Sequence, residues 1–329
     1  MKFLIAGFGS IGRRHLRNLL ALGEEDIVLF RSHRSTLEDD EIARFPVETD
    51  LQKALAHKPD GVIISNPTAL HLDVAIPAAQ AGCHILMEKP ISHTLDEIPA
   101  LEKALQQGGA KMLVGFQFRF HPGLRQAKQL LDEGAIGDLV SVRSHWGEYL
   151  PDWHPWEDYR QSYAGRKDLG GGVVRTLCHP LDYLRWLVGE VESLWAFSGN
   201  LGRLDINVED VSEIGLQFDR GVLGSVHLDF CQRPPRHTLE MIGNQGTITW
   251  DNASGGVRLY RAEKVAWEDF PAPEGFDRND LFLAETRNFI NMIAGTEEPV
   301  CSFEDGKRAM EIVLAVCQSS RYHQWVELD

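Results

Sequence analysis

The sequence predicts an α/β chain in two parts. A doubly wound parallel sheet forms the amino-terminal part, and an α+β half built on an open, mostly antiparallel sheet follows it. Three observations predict this. Within the first fifteen residues an apolar run passes through a glycine-rich turn into a helical pattern. Short apolar runs and helical patterns then alternate as far as residue 118, as in successive βαβ units. From residue 194 six stretches of two-residue period follow one another without helices between them, and such consecutive strands pair antiparallel.

The first strand is Phe3, Leu4, Ile5 and Ala6, and its turn is Gly7, Phe8, Gly9, Ser10, Ile11 and Gly12. That spacing suits a dinucleotide. Gly7 allows the tight turn, Gly9 lets main chain approach a pyrophosphate, and Gly12 lets the helix pack closely on the strand. The unpaired N–H groups of the helix start then face the phosphates. Leu16, Leu19 and Leu20 continue the helix to Gly23, and Ile27 to Phe30 is the second strand. An acid after that strand would bind the 2′-hydroxyl of NAD, whereas this chain has Arg31, Ser32, His33 and Arg34. A guanidinium matches phosphate with two parallel donors, so NADP(H) is expected in preference to NAD(H).

A short helix over 50–57 leads to a buried strand, Gly61 to Ser65, that ends at Asn66, Pro67 and Thr68. Loops at the carboxyl ends of parallel strands line the ligand edge of open sheets, which makes Asn66, Pro67 and His71 cofactor candidates. His71 opens the next helix, to Ala81. The strand His84 to Met87 follows and ends at Glu88, Lys89 and Pro90; helix Asp96 to Gln107 and strand Lys111 to Phe118 complete the first part. Beyond Phe120, His121 and Pro122 come a helix, Gly123 to Glu133, a strand, Leu139 to Tyr149, and an aromatic loop, Pro151 to Tyr163. A helix from Gly172 to Val188 precedes the run of strands, in which Gly243 to Gly246 forms a hairpin. Helices Asp280 to Ile293 and Glu304 to Ser319 close the chain. The expected division is 1–121 for dinucleotide binding and 122–329 for substrate binding and oligomerisation, with the last helix packing back on the first domain.

Composition limits the function classes. A formal charge of −15 opposes the phosphate attraction on which nucleic-acid binding rests. No apolar run approaches the roughly 20 residues of a membrane span, and the early first strand leaves no room for a targeting segment, so a cytoplasmic protein is expected. Five scattered cysteines without a C-x-x-C pair point to reduced thiols. Neither a disulfide frame nor a metal centre is expected from them.

The Gly7 to Gly12 turn, the loop Asn66 to His71, the triplet Glu88, Lys89, Pro90, the stretch Arg119 to Pro122 and the run Gly170, Gly171, Gly172 before His179, Asp182 and Trp186 together resemble the glucose-fructose oxidoreductase, inositol dehydrogenase and MocA (Gfo/Idh/MocA) family. The resemblance spans essentially the whole chain. It implies a Rossmann domain followed by an open antiparallel sheet, a nicotinamide cofactor, and hydride exchange with a sugar-like substrate held between the domains. In its terms Lys89 matches the lysine of substrate binding and proton relay, and His179 the catalytic histidine. Asp182, three residues on, is placed to orient His179 or is a helix-surface acid. The resemblance also implies pairing of subunits, as a homodimer or homotetramer, through the second sheet.

Read from the residues alone, Lys89 ends a strand on the ligand edge, and its pKa falls beside other cations in a cleft. Histidine titrates nearest neutrality. One departure stands out: four residues before the histidine, where the family often has an aspartate, this chain has Arg175, and a cation cannot accept the substrate proton. Arg175 either contacts substrate or pairs with an acid elsewhere. The resemblance implies that Lys89, Gln117, Arg119, Arg166, Arg175 and His179 lie near the cleft, and they are the expected substrate contacts. With Lys167 the cations among them would favour an anionic sugar, unless the abundant acids neutralise them. Trp146, Tyr149, Trp153, His154, Trp156 and Tyr163 either stack on a sugar face or form core. Three alternatives to a dehydrogenase remain: a nucleotide-binding sensor without turnover, a glycosidase working by transient oxidation with tightly bound cofactor, and, last, a purely structural or interaction role, which leaves the phosphate turn and the Glu88 to Pro90 triplet unexplained.

Overall fold

β1 (Lys2–Ala6) is apolar and buried from Phe3 onward because helices cover both faces of the sheet it centres. The computed structural model describes residues 1–31 and 42–328. The expected cofactor residues Ser32 and Arg34, with His33, lie outside the described residues.

In chain order β1 is followed by α1 (Ser10–Ala21), β2 (Asp26–Phe30), β3 (Val47–Glu48), α2 (Leu51–Ala56), β4 (Gly61–Ile64), α3 (His71–Gln80), β5 (His84–Met87), α4 (Ile98–Gly108) and β6 (Met112–Val114). Next come α5 (Pro122–Asp132), β7 (Leu139–Gly147), α6 (Val173–Thr176), α7 (His179–Val188), β8 (Val191–Gly199), β9 (Val211–Phe218) and β10 (Leu223–Asp229). The chain continues through β11 (Arg236–Gly243), β12 (Gly246–Asp251), β13 (Val257–Arg261), β14 (Ala266–Phe270), α8 (Arg278–Ile293), α9 (Phe303–Tyr322) and β15 (Val326–Glu327).

The chain divides into two units that interleave in sequence: 1–117 with 168–170 and 278–310, and 118–167 with 171–277 and 311–329. A single boundary at residue 121 was expected. The difference lies mainly in α8, an amphipathic helix whose apolar side belongs to the first core. Phe289 packs against Phe3 at 6.0 Å between ring centroids, and a Cβ on Gly61 would strike Ile293 and Phe289.

The sheet of the first unit has the order β3-β2-β1-β4-β5-β6, and every pairing is parallel. Strand order reverses between β1 and β4, so the crevice for a ligand opens at the carboxyl ends of those two strands.

The second unit holds a sheet in the order β14-β13-β12-β11-β7-β10-β9-β8-β15. Its pairings are antiparallel except β7 with β10. The expected hairpin is present, with Ile242 opposite Thr247. Two-residue alternation shows in β11, where His237, Leu239 and Met241 are buried between more exposed neighbours. The single helix expected over 172–188 is two, α6 and α7, separated at Leu177 and Cys178. Pro180 explains the break, since it has no N–H to continue α6 but suits the first turn of a new helix. Among the described residues no helix is long and apolar enough to cross a membrane.

Candidate active site

In the first unit the carboxyl edge of the parallel sheet gathers the expected cofactor residues. Gly7 sits at φ +90°, and a Cβ there would overlap the Asn66 backbone N at 2.4 Å, so only glycine can make this turn. Gly12 is equally constrained, because its Cβ would lie 2.2 Å from the Gly7 carbonyl oxygen and 2.9 Å from Ser65 Oγ. Gly9, by contrast, has nothing within 4 Å of that position among the described residues. Gly9 and Ser10 are exposed, Ile11 is half-buried, and no side chain caps α1. The first N–H groups of a twelve-residue helix thus face open space, as a phosphate-binding turn requires.

Arg31, at the end of β2, is buried, and its guanidinium lies 5.9 Å from the centroid of Phe8. Arg13, in the first turn of α1, lies 4.8 Å from the same ring. Sequence reasoning missed Arg13. Its position one residue after Gly12 was the available signal, since the start of a phosphate-binding helix is where a second cation adds most.

After β4, Asn66 Nδ2 donates to Leu70 O at 2.9 Å, while its Oδ1 is buried without a hydrogen-bond partner among the described residues. His71 is buried between two loops, with Nδ1 3.0 Å from Pro90 O and Nε2 3.0 Å from Asn66 O. Burial pushes its pKa down to about 4 against the pull of these carbonyls. The neutral ring donates one N–H at a time and ties the Asn66 and Pro90 turns together. Pro67 sits between these groups, half-buried.

After β5, Glu88 is held by His15 of α1, whose Nε2 lies 2.8 Å from Glu88 Oε1. Lys89 follows, half-buried, and the Lys89–Pro90 bond is cis. Glu285 of α8 completes a cluster with His15 and Glu88, with one ligand atom from each within 4.8 Å of the others. Glu285 is fully buried, and neither carboxyl oxygen has a hydrogen-bond partner among the described residues. Desolvation, aided by the Glu88 charge, raises its pKa well above the carboxylate range. His15 and Glu285 lie far from Glu88 in sequence, so no local pattern could have flagged them. Gln117, after β6, is buried as well.

In the second unit His179 opens α7 and is 2% exposed. Its ring meets Phe118 edge-on at 5.0 Å and Trp146 at 5.5 Å. Trp146 in turn stacks on His237 at 4.3 Å with 3° between the planes. Within the expected aromatic group Trp146 is therefore core, Trp153 meets Phe230 edge-on at 5.5 Å, and Trp156 is 63% exposed. His237, in a strand two-thirds of the way along the chain, carried no sequence signal beyond its residue type.

Arg119 is 3% exposed and forks onto Asp182, with Nε 3.0 Å from Oδ2 and Nη2 2.8 Å from Oδ1. Asp182, expected to orient His179 or face solvent, is a buried acceptor for Arg119. Arg175 lies near Glu209, a half-buried acid whose pKa desolvation raises and the Arg175 charge pulls back. The Arg175 charge is thus felt by an acid of the second unit. Glu209 also approaches the start of α6, since a Cβ on Gly172 would lie 2.2 Å from its Oε1. Arg166 is half-buried and Lys167 exposed after the turn Tyr163–Gly165.

A six-stranded parallel sheet with this glycine turn at its switch point defines a dinucleotide-binding protein. Residues 1–116 match the model of the oxidoreductase family with an NAD-binding Rossmann fold, and residues 124–249 match the GFO/IDH/MocA C-terminal domain. The chain belongs to the Gfo/Idh/MocA family. It is 27% identical over 314 residues to levoglucosan dehydrogenase of Pseudarthrobacter phenanthrenivorans, covering 81% of this chain and 79% of that protein. It is 26% identical over 335 residues to D-xylose 1-dehydrogenase (NADP(+)) 2 of Haloferax volcanii, covering 100% of each. A solved levoglucosan dehydrogenase in complex with NADH superposes with a TM-score of 0.88 at 23% identity, over 100% of this chain and 99% of that one.

Proposed function

We propose that this chain transfers hydride between a nicotinamide dinucleotide, NADP(H) in preference to NAD(H), and a CH–OH or carbonyl group of a sugar or sugar-derived substrate. The turn after β1 carries the reading. Gly7 and Gly12 cannot bear a side chain, Gly9 fronts open space, and an uncapped helix start faces it. The cofactor, when bound, supplies or accepts the hydride.

The remaining work falls to this chain's side chains. Lys89 binds the reacting oxygen and passes its proton in step with hydride movement, and Glu88, fixed by His15, sets the direction of that turn. His179, held edge-on against Phe118, is the second acid–base group. Arg175 cannot play the part of the aspartate often found at its position, so two groups share the proton rather than three. Arg13 and Arg31 support a 2′-phosphate, and the Haloferax relative is named for NADP(+).

Arg119 is paired with the buried Asp182 and the Arg175 charge acts on the half-buried Glu209, which weakens the case for an anionic sugar as the preferred substrate. Five free thiols support a reducing compartment such as the cytoplasm. On the second sheet Trp195, Phe197 and Leu223 are 40%, 63% and 59% exposed, and a second copy of the chain is the cover we assign to them.

Titration with NADPH and NADH, then a panel of neutral and carboxylated keto sugars followed by loss of reduced-nucleotide absorbance, tests the reading. Turnover that falls at least about a hundredfold in Lys89→Met and His179→Asn is expected. Binding of neither nucleotide would refute it. Turnover of a sugar without net consumption of nucleotide would favour the glycosidase alternative instead.

A further inference from the structure

The second sheet carries a cluster of nitrogen and oxygen donors that the proposed reaction does not use. One cross-strand row on the face away from α7 runs Phe197, Glu213, His227, His145, Thr238, and the residues of such a row share a face. The rings of His145 and His227 stack with centroids 4.5 Å apart and 17° between planes. His227 Nε2 lies 3.0 Å from Asp229 Oδ2, and its Nδ1 lies 2.5 Å from Glu213 Oε1. His145 Nε2 lies 2.5 Å from Gln232 Oε1.

Gly147 shows how these oxygens converge. A Cβ there would lie 2.1 Å from Asp229 Oδ2 and 2.2 Å from Gln232 Oε1. Two oxygens from different residues therefore close over a position where the chain has no side chain. One donor atom each from His145, His227 and Asp229 falls within 4.8 Å of the others.

We propose that His145, His227 and Asp229, with Gln232 Oε1 as fourth donor, bind a divalent transition-metal ion, zinc by preference. Two imidazoles and two oxygens make a set that zinc accepts in tetrahedral geometry, and its bonds of about 2.0–2.2 Å place the donors roughly 3.3 Å apart. Ligation requires the 2.5 and 3.0 Å spacings to open and the stacked His145 and His227 rings to rotate so that both lone pairs point at one ion. Glu213 supplies the other half of a built site. A metal-bound imidazole usually gives its remote N–H to a carboxylate, which fixes the ring and raises its basicity, and Glu213 already stands at Nδ1 of His227.

The hydrogen bond to Asp229, opposed by partial desolvation and reinforced by Glu213, raises the His227 pKa. The groups facing this ring are Asp229 on its own strand, Glu213 on β9 and His145 on β7.

The experiment uses the chelator-stripped full chain titrated with Zn²⁺, with metal content measured after desalting and Co²⁺ substitution read by visible absorption. One ion per chain is expected. Affinity should fall more than tenfold in His145→Ala and Asp229→Asn, fall about 10–100-fold in Glu213→Gln, and survive Cys231→Ser. The proposal is overturned by an absence of saturable uptake, by uptake unchanged in His145→Ala, or by uptake lost with Cys231→Ser, which would mean adventitious thiol capture. His145 is a half-buried strand residue, so His145→Ala keeps the test decisive where Asp229→Asn fails to fold. Nucleotide binding lies outside this test, and its outcome leaves the proposed reaction untouched.

Discussion

Glu285 offers the sharpest test of the electrostatics in the first unit. It is fully buried, both oxygens lack partners among the described residues, and Glu88 is its charged neighbour. Its folded-state pKa is therefore raised above the ordinary value of about 4.3. Above that value the unfolded chain releases the proton and the folded chain keeps it. Folding then takes up one proton, and stability falls as pH rises, by about 1.4 kcal/mol per pH unit, until the raised pKa is passed.

Glu285→Gln keeps the shape and removes the titration. Its stability relative to the parent should climb at that slope from about pH 5 upward. Glu285→Leu should add about 1–3 kcal/mol more by removing a buried polar group that nothing satisfies. For a unit of this size each kcal/mol moves the Tm by about 2–4 °C. All eight tryptophans lie beyond residue 145, in the second unit, so unfolding should be followed by far-ultraviolet circular dichroism rather than tryptophan fluorescence. A flat difference between Glu285→Gln and the parent from pH 5 to pH 8, or a less stable Gln variant, would refute the argument. Either would mean that Glu285 is ionised and paired in solution.

Three further outcomes are expected. Gly12→Ala drives a Cβ into the Gly7 carbonyl; a loss of about 1–3 kcal/mol in thermal unfolding, with much weaker nucleotide binding by calorimetry, is the expected result. Asp182→Ala removes the carboxylate onto which the buried Arg119 forks and should destabilise the chain by about 3–5 kcal/mol, visible in urea unfolding. Arg31→Asp should shift the ratio of NADPH to NADH affinity toward NADH, and an unchanged ratio would remove the assigned 2′-phosphate cradle.

The amino-terminal half is largely legible in the sequence. Period, glycine placement and strand ends are local properties, and β1, the Gly7 to Gly12 turn, α1, β4 and the Glu88 to Pro90 turn follow from them. Elements with little local signal escape such reasoning. β3 and β15 have two residues each, and β14 is exposed along most of its length; the break at Cys178, by contrast, had a local signal in Pro180 that the expectation of a single helix passed over. The assignment of α8 to the first unit is also unreadable, because an amphipathic helix shows that it has an apolar side without showing which core takes it.

The site residues divide in the same way. By itself the sequence determined which chemistry was on offer: a phosphate turn, a lysine at a strand end, a histidine at a helix start, and an arginine where an acid would have been useful. Only the tertiary structure decided which acid faces which base. Arg119 with Asp182, Arg175 near Glu209, His15 with Glu88 beside Glu285, and His145 with His227 are all brought together from separate elements. Hydrophobic periodicity is set by neighbours along the chain, whereas the charge state of a buried group is set by whatever packing brings within a few ångströms of it, and that information resides in no single stretch of sequence.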